Sequence, residues 1–228
     1  MSLAQSAATQ LLALSTGTLL VTAVLLVWRR SLGAAVRLLA VQGVALTALV
    51  AAIAVGEGDP ELLGVALIVL VLKGVVIPLV LARGIAVSGV HREDAPLLNP
   101  TAGLVTVALL TTVAYLVSRP ITEGVAGAGP GQAGPAALSV PVGISMVLIG
   151  FLLLVTRRRA LSQVVGFLVL DNGIATVGFL TAAGVPFVVE LGVSFDVLLI
   201  ALILAMLSGR MHELVGATSV DEMTELRD

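Results

Sequence analysis

Between Leu62 and Ala82 the chain reads LLGVALIVLVLKGVVIPLVLA, an unbroken apolar run with a single charge, Lys73, near its middle. About 20 such residues cross the hydrocarbon core of a bilayer as a helix. A lysine at that depth costs about 2.5–3.5 kcal/mol on insertion scales. Two acids recur in similar settings: Asp171 within FLVLDNGIATVGFL and Asp196 within GVSFDVLLIALILAML. A chain that retains such groups is expected to use them for charge or proton handling inside a membrane, or to pair them as a lock between helices.

The 228 residues are 58% hydrophobic and 11% charged. Soluble domains carry about 25% charged residues, so the chain reads as an all-α, polytopic membrane bundle. Seven spans are expected, over Thr9–Trp28, Ser31–Val55, Glu61–Ala82, Leu104–Val117, Val140–Thr156, Ala160–Ala183 and Phe187–Ser208. As one membrane domain it divides into four N-terminal helices (1–118), a Gly/Pro-rich external loop (119–138), a three-helix unit (139–210) and a polar tail (211–228). The start, MSLAQSAATQ, lacks the basic n-region of a cleaved signal peptide, so the first helix is expected to serve as its own insertion signal. Abundant small residues let such helices approach closely.

Basic residues fall on alternate connections. Arg29, Arg30 and Arg37 flank the first, Arg83, His91 and Arg92 the third, Arg157–Arg159 the fifth, and Arg210 follows the seventh span. The intervening loops hold EGDPE and ITEGVAGAGPGQAGP, with Arg119 their lone basic residue. By the positive-inside rule the N-terminus lies outside and the C-terminus in the cytoplasm. The arginine run reads as a topology signal and a headgroup contact.

The composition excludes several functions. A net charge of −2 argues against nucleic-acid binding. With no cysteine and two histidines in polar segments, a Cys/His metal site is not expected. No nucleophile–base pair or phosphate loop is evident, so no catalytic centre and no cofactor are assigned to this chain.

The polar groups inside the spans are the candidate site. Apolar surroundings disfavour the charged form of Asp171, as a group that gains and loses protons requires. Asn172 could bond a water or the neighbouring carboxyl, and Gly173 would admit another helix. Asp196 lies about two turns inside its span, with Glu190 a boundary residue about 9 Å nearer the outer end. Lys73 calls for an acid partner, and Pro78 beyond it frees backbone carbonyls. Gln42 reads as a hydrogen bond between helices. The halves also share a loose pattern, an arginine cluster before a helix with a polar centre (Gln42 or Asp171), then a helix opening at Glu61 or Glu190. That pattern would be a parallel repeat.

From about Ile149 to Arg210 the chain resembles subunit K of respiratory complex I and its counterparts in cation antiporter complexes. The arginine run, the mid-membrane acid with Asn172, and Asp196 ahead of a basic end carry the likeness. The whole chain looks like the hydrogenase-4 component E family, chiefly over LDNGIATVGFL and GVPFVVELGVSFDVLLIALIL. It departs in having Asp171 where that family has glutamate before Asn-Gly. Aligned on subunit K, the first acid falls on Leu168 and the second on Asp196. The resemblance implies a non-catalytic subunit of an oxidoreductase complex in the inner (plasma) membrane, beside antiporter-like and other membrane subunits. Nickel–iron and iron–sulfur centres would sit in partner subunits. The implied work is proton translocation through Asp171, Asp196 and Lys73, with Asn172, Gln42 and Glu190 as accessory members. A scaffold subunit and a free-standing secondary transporter are the alternatives.

Overall fold

The computed structural model describes residues 3–88, 97–126 and 135–181, together with Gly192, Asp196 and Ile203. The described chain is helical apart from short connections. The elements are α1 (Leu3–Trp28), α2 (Leu32–Glu57), α3 (Pro60–Val69), a π-helical segment (Leu70–Val76), α4 (Ile77–Ser88), α5 (Pro100–Val117), α6 (Arg119–Ala126), α7 (Pro135–Thr156) and α8 (Ala160–Thr181). Counting α3, the π segment and α4 as one continuous span, six helices among the described residues are long and apolar enough to cross a membrane. The expected seventh span lies outside the described residues apart from Gly192, Asp196 and Ile203, which are helical.

Short polar signals set the ends. Gly58 closes α2 with φ 71°, its N–H donating to the Ala54 carbonyl, a left-handed cap that suits glycine. Asp59 then opens α3, its carboxylate accepting from the N–H groups of Glu61 and Leu62, with Pro60 at the first turn where no N–H is needed. Asn99 does the same for α5, accepting from Ala102 N–H at 2.7 Å. That cap starts α5 at Pro100, ahead of the expected Leu104. The stretch 119–138, expected as loop throughout, is helical over Arg119–Ala126 and again from Pro135. Pro120 in the first turn of α6 favours this start, and Thr122 N–H bonds back to the Ser118 carbonyl.

The bundle is built around α8, with 61% of its span buried, and α5 lies at its edge with 17%. Leu19, Leu26, Leu46, Leu49, Met146 and Ile149 are among its fully enclosed side chains. Glycines set the spacing of α7 and α8. A Cβ on Gly150 would stand 2.5 Å from Leu170 N, and one on Gly173 2.6 Å from Val147 N. Neither contact is sterically possible, so the two backbones meet directly, the close packing that lipid-embedded helices rely on.

One end of the bundle collects the arginines. The Arg157 guanidinium is buried and donates to the carbonyls of Leu26 (3.0 Å), Val27 (3.3 Å) and Arg29 (2.9 Å). It thereby satisfies two C-terminal carbonyls of α1, which have no partner within their own helix, and that of Arg29 just beyond it. Leu97 N–H donates to the Thr156 carbonyl at 3.1 Å. These bonds put the α1–α2 connection, the start of α5 and the α7–α8 connection together, as the alternation of basic loops predicts. They also correct the reading of Arg157 as a headgroup contact: it is a cap for another helix.

A buried charge cluster as candidate functional site

Lys73 is the centre of the site. It lies in the π segment and is buried, as are Asp171 and Asn172 on α8, Asp196, and Gln42 on α2. Two local features bring it there. The buried positions Val69, Lys73, Ile77, Leu81 and Ile85 recur every four residues. An α-helix of 3.6 residues per turn would carry such a row around by about 40° per step. The wider π turn, with Ile77 N–H donating to the Leu72 carbonyl five residues back, offsets part of that drift. Pro78 follows directly, and its missing N–H removes an α-type bond at that point. The second feature is Gly43, where an added Cβ would stand 2.4 Å from the Lys73 carbonyl carbon and oxygen. Only a glycine lets α2 come so close to the backbone that carries the lysine.

An ammonium group has three donors and no acceptor. Lys73 Nζ directs them at Asp171 Oδ2, Asp196 Oδ1 (3.2 Å) and Asn172 Oδ1 (3.2 Å). The remaining geometry follows from that. With its oxygen turned to the lysine, Asn172 offers Nδ2 to Gln42 Oε1 at 3.1 Å. Gln42, its oxygen engaged, offers Nε2 to the Leu19 carbonyl at 3.4 Å. Thr22 Oγ1 donates to that same carbonyl at 2.9 Å. Among the described residues every buried side-chain nitrogen or oxygen has a partner. A cluster this far from water is tolerable only when satisfied throughout.

Of the six residues singled out from the sequence, five converge here: Lys73, Asp171, Asp196, Asn172 and Gln42. Glu190 lies outside the described residues. The Leu19 carbonyl was not foreseen, because a backbone acceptor leaves no trace in a sequence. The charge count is one ammonium to two carboxylates. The cluster is neutral with one proton held between the acids and carries net negative charge without it. The exchangeable protons belong to Lys73, Asp171 and Asp196, while the amides of Asn172 and Gln42 orient them. On the α1 side the network closes on a carbonyl.

Fold and site together define an all-helical protein with membrane-spanning helices and a lysine–dicarboxylate cluster buried among them. The chain belongs to the family of the uncharacterized protein Rv0085 of Mycobacterium tuberculosis (strain ATCC 25618 / H37Rv). The two are 40% identical over 213 residues, 93% of this chain and 94% of that protein. It is also distantly similar to hydrogenase-4 component E of Escherichia coli (strain K12) and of Shigella flexneri. Each is 25% identical over 156 residues, 68% of either chain. No family model matches the chain and no solved structure does.

Proposed function

We propose that the protein is a membrane subunit of a hydrogenase- or complex-I-like redox complex and that its buried cluster takes part in proton translocation. The similarity to hydrogenase-4 component E supports the first half. The observation that carries the second is the charge count: one cation shared by two carboxylates leaves room for one mobile proton. In this reading Lys73 gives a proton to one carboxylate and regains one from the other, so the cluster passes a proton with no net change. Asn172 and Gln42 hold the lysine in position between its partners. The chain itself holds no redox centre; nickel–iron and iron–sulfur groups belong to partner subunits, and antiporter-like subunits are its neighbours in the inner membrane. With N-terminus outside, the arginine-rich end faces the cytoplasm.

One observation favours a scaffold role instead. All three ammonium donors are filled, and a filled cluster also serves as a permanent lock between helices. The deciding experiment compares native complexes carrying the wild-type chain and Asp171→Asn, which keeps the shape and removes the exchangeable proton. Redox turnover and proton uptake are measured in vesicles. Loss of proton uptake in a fully assembled complex is the expected result. Unchanged uptake would sink the relay and leave the cluster as a lock.

A further inference from the structure

At the arginine-rich end, two open clefts flank the end of α1. The first is a crevice of about 20 Å³ between α1, the start of α5 and the end of α7, lined by Arg30, Val27, Leu98, Asn99, Gly103 and Leu152. The second, also about 20 Å³, lies between the α1–α2 connection, α7 and α8. Arg30 lines both. It is half-buried, and its guanidinium has no hydrogen bond or ion pair among the described residues. Among the described residues, neither cleft is lined by an acid. Arg157 also lines both, but it is committed to the α1 carbonyls. Trp28, 57% exposed two residues before Arg30, is of the kind that sits at headgroup level.

We propose that this end is a binding site for an anionic phospholipid, with the lipid phosphate on Arg30 at the mouth of the α1–α5–α7 cleft. A guanidinium forks onto phosphate oxygens through paired, charge-assisted bonds, and basic pockets between spans recruit such lipids. The apolar residues Val27, Leu98 and Leu152 border that mouth. The site is separate from the buried cluster and independent of its function.

The test uses the full-length chain, delipidated in detergent, with phosphatidylglycerol or phosphatidylcholine of matched acyl chains added. Native mass spectrometry reads retained lipid and thermal unfolding reads stabilisation. Wild type is expected to retain phosphatidylglycerol and be stabilised by it selectively. Arg30→Gln should weaken retention about tenfold or more, from the loss of charged hydrogen bonds. Leu98→Trp, which narrows the cleft and keeps the arginine, should weaken it too. Equal retention of the two lipids, or variants that bind as wild type does, would overturn the site. So would a stability loss in Arg30→Gln that is identical in both lipids, which marks an internal contact. Stabilisation by inorganic phosphate alone in the same concentration range would make it a free-anion site and overturn the lipid assignment.

Discussion

Lys73 and its acids are not equivalent targets, because removing a cation and removing an anion leave different residues of charge. Lys73→Met strands two carboxylates beside each other away from water. Breaking a buried pair from one side costs about 3–5 kcal/mol. The purified variant should unfold at markedly lower SDS in mixed micelles. Asp171→Asn leaves the lysine paired with Asp196 (3.2 Å) and an amide oxygen in place of the carboxylate, so its cost should be smaller. The double variant Lys73→Met/Asp171→Asn should then lose less than the sum of the singles, a coupling of about 0.5–3 kcal/mol in a double-mutant cycle. Additive losses would mean that the two side chains do not share one site. At this scale the sequence was informative. A charge or amide in the middle of an apolar run has little choice but to find another one, and Lys73, Asp171, Asn172, Asp196 and Gln42 could be picked out by depth alone. Arg157 could not, since the carbonyls that hold it belong to the end of α1 and to Arg29, more than a hundred residues earlier.

Elements were legible where composition changes and obscure where it does not. The Arg–Arg and Gly–Asp–Pro breaks marked α2 and α3 within a few residues. The Asn99–Pro100 pair and Pro120 were stronger start signals than the hydropathy around them, and reading hydropathy first misplaced α5 and left α6 as loop. The π segment was hidden because Leu62–Ala82 is apolar all round and shows no period. It has a testable consequence. Val71 is 48% exposed, so Val71→Ala should be nearly silent. Deleting Val71 removes a residue from the wide turn and turns Lys73 about the helix axis relative to α3, away from Asp171. The expected outcome is little folded chain recovered from membranes, matching Lys73→Met rather than Val71→Ala. Recovery equal to Val71→Ala would show that the π turn is not what aims the lysine. The glycine contacts give a second test at this scale. Gly173→Ala inserts a Cβ at 2.6 Å from Val147 N, and overpacking of this kind costs about 1–3 kcal/mol. The same SDS titration should show it, whereas the open position Gly64 should accept alanine without loss.

For the whole molecule, the question is which way round the bundle sits. The structure brings the α1–α2 connection, the start of α5 and the α7–α8 connection to one end, and these carry Arg29, Arg30, Arg157, Arg158 and Arg159. Glu57 and Asp59, at the turn from α2 to α3, lie a full span away from Arg29 and Arg30, because α2 runs 26 residues, about 39 Å at 1.5 Å per residue. Basic residues near span ends are retained on the cytoplasmic side, so the arginine end should face the cytoplasm and the acidic turn the outside. The absence of cysteine from all 228 residues makes the test direct, since one introduced thiol reports alone. In intact cells, an impermeant maleimide should label Glu57→Cys, whose parent side chain is exposed. Arg158→Cys, equally exposed at the other end, should label only after the membrane is opened. The reversed pattern would invert the bundle. The buried cluster would survive that inversion unchanged, because its geometry depends on helix packing alone. The direction assigned to proton movement would not, so topology has to be measured before any vesicle assay of Asp171→Asn is given a sign.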